Sequence, residues 1–144
     1  MKGYVFRLQK LLDIRIDIEE QCKREFKDAQ NEKNASEEKL SRLKEDYTKY
    51  SMPAQKETII EIKIRQIYLN TLKESIEKQI EEVKQKDKLL EEKRIELLQK
   101  QVDRKTVETL KEKNEKLFIK EQNLIEQKDN DEFALYGFIR RKEA

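Results

Sequence analysis

Tyr47-Thr48-Lys49-Tyr50-Ser51-Met52-Pro53-Ala54 separates two long stretches of sequence that both repeat in threes and fours. Upstream, Cys22, Phe26, Ala29, Lys33, Ser36, Leu40, Leu43, Tyr47 and Tyr50 follow one another at alternating steps of four and three. That spacing is the seam of a coiled coil, in which a and d positions of a heptad meet a partner helix. Lys33 and Ser36 are its polar members, and a polar seam residue fixes register. Leu8, Leu11 and Ile18 extend the stripe toward the N-terminus. At the break itself, Pro53 disfavours helical dihedrals at Met52 and is comfortable as the first residue of a new helix. Downstream, Ile76, Val83, Leu90 and Leu97 step by seven, and so do Leu110, Leu117 and Leu124. Leu97 and Leu110 are one residue short of a two-heptad interval, which predicts a stammer, a change in the face of the helix that is apolar.

Two helices with one narrow apolar stripe each leave that stripe wet unless they pack together. The fold expected is therefore all-α, a long antiparallel two-helix coiled-coil hairpin with the second helix longer than the first, forming a single domain over residues 1–144. Helix one is placed at about 4–50, the turn at about 51–53 and helix two at about 54–140. A turn centred near Met52 makes the numbers of facing residues add to about 104, with Leu43 against the early part of helix two and Ile18 near Val83 to Leu90. On that register helix one runs out near the stammer. The first ladder packs on helix one, and the second ladder, with Phe118 and Ile125, needs another partner.

Composition supports this class. Charged residues make up 44% of the chain and hydrophobic ones 35%, with a mean hydropathy of -1.05, too polar for an ordinary compact core. The 33 Lys and Arg nearly cancel the 31 Asp and Glu, whereas disorder driven by charge needs a large net charge. Gly3, Gly137 and Pro53 are the only glycines and proline, so nothing between Ala54 and Tyr136 breaks a helix. Glu, Lys, Leu, Gln and Arg, all good helix formers, dominate throughout.

The same inventory excludes several functions. The longest apolar run, Phe133 to Tyr136, is far short of the ~20 residues that cross a bilayer, and Met1 to Ile14 lacks the apolar region of a signal peptide. A soluble, intracellular protein is expected. With Cys22 as the single cysteine and no histidine, an internal disulfide is impossible and the usual Cys and His ligand set of a zinc site is missing. Cys22 lies on the apolar stripe and is read as a buried, inert thiol. A P-loop needs closely spaced glycines before its lysine, which glycines at 3 and 137 cannot supply. Pairs such as Glu19–Lys23, Glu38–Arg42, Glu74–Lys78 and Glu112–Lys116 are Glu-first at i,i+4 and describe a solvated helix face. Catalytic residues, cofactors and metals are all read as none. Acidic residues interleave with basic ones, so no stripe matches a nucleic acid backbone. Only the end, Phe138-Ile139-Arg140-Arg141-Lys142, is basic and partly aromatic.

Three segments carry a family resemblance. Phe6-Arg7-Leu8-Gln9-Lys10-Leu11-Leu12-Asp13-Ile14-Arg15 and Gln127-Lys128-Asp129-Asn130-Asp131-Glu132-Phe133-Ala134 resemble the end signatures of the FliJ family of flagellar type III export proteins. Tyr68-Leu69-Asn70-Thr71-Leu72-Lys73-Glu74-Ser75-Ile76 is similar to the segment through which family members contact the export gate. The resemblance implies a soluble stalk or adaptor of the export apparatus, cytoplasmic and held peripherally at the inner face of the membrane. Its implied partners are the flagellar export ATPase ring, the gate protein at the membrane and export chaperones. Tyr68, Leu72, Ser75 and Gln79 would contact the gate; Leu110, Leu117, Leu124 and Phe133 would contact the ATPase ring. The gate set stands on the order of 22 Å from the turn at 1.5 Å per residue, and the ring set lies beyond the paired region. A structural coiled-coil tether or peripheral stalk, and the equivalent stalk of a virulence-type injectisome, satisfy the same heptads.

Overall fold

The computed structural model describes residues 3–53 and 56–143. Two helices account for most of them, α1 (Gln9–Ser51) and α2 (Ile59–Glu143). They pack against each other antiparallel, with α2 the longer and no strand among the described residues, so the expected hairpin is the fold observed. Contacts group the chain into two units, Glu19–Lys100 and Met1–Ile18 with Gln101–Ala144.

Within Glu19–Lys100 the α1 seam is the one the spacing predicts. Cys22 and Ala29 are buried, Phe26, Lys33, Leu40 and Leu43 half-buried, and Ser36 is buried. They face Leu72 and Gln79, both buried, and half-buried Leu69, Ile76, Val83, Leu90 and Leu97. Among the described residues no large side chain falls below 2% exposure, because two helices alone can cover only one stripe of each other. Cross-helix polar contacts then set the register. Lys33 meets Asp87 at 2.9 Å, Lys86 meets Glu32 at 3.1 Å, and Lys93 meets Glu25 at 3.2 Å. Gln79 Nε2 donates to the Ser36 carbonyl at 3.0 Å, and the Tyr50 and Tyr68 rings meet edge to face at 5.0 Å.

The numbers of these pairs add to between 115 and 120, not to about 104. The turn is the reason. Pro53 does not open the second helix, which begins at Ile59 rather than near residue 54; residues 54 and 55 lie outside the described residues. Thr58 and Glu61 form the N-terminus instead. Glu61 N donates to Thr58 Oγ1 and Thr58 N donates to Glu61 Oε2, each at 3.3 Å, a reciprocal capping box. Glu57 pairs with Arg65 at 2.5 Å and ties the connection to the first turns of α2. The resulting displacement is close to two whole heptads, so the same faces meet although different residues oppose one another. Leu43 and Ile18 accordingly do not face the residues expected from a turn at Met52.

The other unit is built around Phe6, Leu12 and Val107, all buried, with Tyr4 packed beside them. Tyr4 and Phe6 precede the helix, which starts at Gln9 rather than at Tyr4. From there the Tyr4 ring reaches Phe118 at 5.5 Å, and its hydroxyl lies 3.5 Å from the Lys111 carbonyl. Arg15 donates to the Asp103 carbonyl at 2.7 Å. The α1 seam here runs through Leu12 and Arg15; in the other unit Glu19 is buried at 3% exposure. Leu8, Leu11 and Ile18 do not extend it: they are exposed, Leu8 in the turn before α1 and the other two one residue before seam positions. On α2 the expected stammer is absent from the packing. Arg104, Val107, Lys111 and Phe118 keep the heptad of Leu90 and Leu97.

Candidate functional site

The heptad that α1 does not cover is the leucine ladder. Leu110 is 40% exposed, Leu117 58% and Leu124 52%. Leu110 and Leu117 each precede a seam residue, Lys111 and Phe118, and one residue turns the helix by about 100°. Leu110 and Leu117 are bare because they flank the seam rather than lie in it, and Leu117 and Leu124 also lie past the first residue of α1, Gln9, in the observed register. Leu11 takes the equivalent position on α1, one residue before Leu12, and is also exposed. Equivalent flanking positions of an antiparallel pair lie on the same edge of the interface, so Leu11 and Leu110 extend one apolar strip. Phe133 does not join it. It lies nine residues after Leu124, two and a half turns on, and so on the opposite side of α2, next to Asp129, Glu132 and Tyr136.

The second expected set divides in two. Tyr68 is exposed and, with Tyr50, Glu61, Ile64 and Arg65, lines an open depression of roughly 540 Å³. Leu72 and Gln79 are seam residues, at 6% and 3% exposure, and Ser75 is half-buried. The stripe through Tyr68, Leu72, Ser75 and Gln79 therefore turns inward after its first member. Sequence reasoning missed what stands beside Tyr68. Ile60, Ile64 and Ile67, at steps of four and three, form an exposed strip in the first turns of α2, the first two beyond the last residue of α1 in the observed register and Ile67 level with Ser51. The signal was present in Thr58-Ile59-Ile60-Glu61, a capping box that starts the helix directly before the isoleucines.

Cys22, Glu25 and Glu96 bring ligand-type atoms within 4.8 Å of one another, but the Lys93 ammonium stands between the carboxylates, 3.2 Å from Glu25 and 3.6 Å from Glu96. Its hydrogen bond to Glu25 holds Lys93 above the usual lysine range and Glu25 below the usual carboxylate range. Burial, followed by the Glu96 and Glu25 charges, pushes the Cys22 thiol up. A protonated, buried thiol is a poor nucleophile, in line with the inert reading of Cys22. No helix among the described residues is long and apolar enough to cross a membrane.

Set against known proteins, the chain matches one family model, described as Flagellar FliJ protein, over residues 4–143. No curated protein and no solved structure matches it.

Proposed function

The chain belongs to the FliJ family of flagellar proteins, components of the flagellar export apparatus, and from that premise we propose that it acts as a non-catalytic stalk or adaptor of that apparatus, binding the export ATPase ring through its uncovered leucine ladder. The observation that carries this reading is the exposure of Leu110, Leu117 and Leu124 at heptad spacing, one residue before the line of the α2 seam. Exposed contiguous apolar strips mark interaction sites. Heptad spacing suits a helical partner or the inner wall of a ring, and Leu11 widens the strip. Phe133, on the opposite side of α2, contacts the ring only where the helix is surrounded.

The gate protein is assigned to Tyr68 and its neighbours Tyr50 and Ile64, with Leu72 and Gln79 holding the helix beneath them rather than touching the partner. Export chaperones share the exposed surfaces. The protein works on the cytoplasmic side, held at the membrane through the apparatus, and hydrolyses no nucleotide itself while altering turnover by the partner ATPase.

Pull-down with the purified ATPase and gate proteins tests the assignment. Leu117→Asp with Leu124→Asp should lose the ATPase and keep the gate; Tyr68→Asp should do the reverse. Loss of the same single partner by both variants, with helix content unchanged, contradicts it. Loss of self-association by the ladder variant, with both partners retained, points instead to the structural tether.

A further inference from the structure

The last three turns of α2 carry a surface that neither the ladder nor the Tyr68 patch accounts for. Leu135, Tyr136, Phe138 and Ile139 are 58%, 65%, 61% and 42% exposed, well past the Tyr4–Phe118 contact. At about 100° per residue they span an arc of about 160°, with Gly137, Arg140 and Arg141 on the other side. Lys142 continues the apolar arc by one turn, its Nζ 5.7 Å from the centre of the Phe138 ring. Arg140, Arg141 and Lys142 oppose the negative end of the helix dipole, which explains the charges. It does not explain four large apolar side chains in water directly before them.

We propose that Leu135–Lys142 is a lipid-contact segment that docks on an anionic bilayer surface. Apolar and aromatic side chains over one face, flanked by arginine and lysine, are what an interfacial helix presents to the headgroup boundary. Tyr136 and Phe138 suit that depth, and Lys142 lies along the apolar face with its ammonium free to snorkel to phosphate. Charge complementarity selects anionic lipid: three cations occupy the last turn, opposed there only by Glu143. The acids Asp129, Asp131 and Glu132 stand about two to three and a half turns before the cations and confine insertion to this end. The inference is independent of the ATPase and gate assignments. It concerns direct lipid contact, whereas those place the chain at the membrane through other proteins.

Flotation of the full chain with vesicles of phosphatidylcholine containing phosphatidylglycerol, or of phosphatidylcholine alone, tests it. Binding is expected to the anionic vesicles, weak to the neutral ones, and to fall with added salt. Each basic residue near such a surface contributes a factor of about five, so Arg140→Gln, Arg141→Gln and Lys142→Gln together should weaken binding about a hundredfold. Leu135→Ser with Phe138→Ser should abolish it with helix content unchanged. Lys27→Gln, Lys39→Gln and Lys44→Gln, three exposed cations in the other unit, should leave it nearly unaltered. Equal loss from that control triple, no preference for anionic vesicles, or a segment variant that loses only self-association in sedimentation velocity each overturns the proposal.

Discussion

Leu72 and Tyr68 sit one turn apart on α2 and should behave in opposite ways when truncated. Leu72 is 6% exposed in the seam, whereas Tyr68 is 41% exposed and held by one edge-to-face contact with Tyr50. Leu→Ala at an enclosed site costs about 2.7–5 kcal/mol, and a two-helix seam lets water reach part of the space vacated, so Leu72→Ala should cost about 2.5 kcal/mol. For a chain of this size that lowers Tm by about 8 °C. Tyr68→Ala forfeits an aromatic pair and partial burial, about 1 kcal/mol, or about 3 °C. Thermal unfolding followed by circular dichroism at equal concentrations reads both. If Tyr68→Ala is the more damaging, or Leu72→Ala shifts Tm by less than Tyr68→Ala, the seam is not where the packing places it. The order also decides which variant reports on docking: Leu72→Asp buries an unpaired charge and unfolds its surroundings, while Tyr68→Asp leaves the hairpin intact.

Thr58→Ala should cost about 1 kcal/mol and raise amide exchange selectively at Ile59 to Ile62, since it removes half of a capping box; unchanged protection there contradicts the assigned start of α2. Lys33→Asp and Asp87→Lys should each lower Tm, and the double exchange should recover most of the loss; additive losses contradict the register. The raised pKa of Cys22 predicts slow reaction with a disulfide reagent near pH 8, accelerating as the pH rises and reaching the free-thiol rate in urea. For stability the sign follows: the neutral thiol is favoured in the fold, so its contribution is present below the unfolded thiol pKa and lost as pH rises through the folded one. Fast labelling of the native chain at neutral pH refutes the burial.

The α1 seam from Cys22 to Leu43 was legible because apolar residues recur there at steps of three and four, and the polar pair Lys33 and Ser36 stayed in the seam through its periodicity. Toward the N-terminus the same rule misled. Leu11 and Ile18 are apolar and exposed, whereas Arg15 and Glu19 are polar and lie in the seam, because the contact follows the heptad rather than the side-chain type. The step from Leu97 to Leu110 misled in the same way: the seam passes through Arg104 and Lys111, and the leucines leave it for solvent. Register was lost by weighting Pro53 above the Thr58–Glu61 capping box, and a displacement near two heptads leaves no trace in the apolar pattern. The ladder of Leu110, Leu117 and Leu124 was legible as a stripe because it repeats, and its exposure is what the structure adds. Leu72 and Gln79 could not be separated from Tyr68, since all three share a stripe and only the partner helix decides which are covered.

The most direct test of the central claim is the affinity of the purified export ATPase for this chain, measured by calorimetric titration with the unmodified protein and with Leu117→Asp, Leu124→Asp. Both leucines are more than half exposed, so the exchange should leave thermal unfolding nearly unchanged. Placing two carboxylates in a dry interface should weaken binding at least about a hundredfold. Undiminished affinity with an intact hairpin would contradict the account.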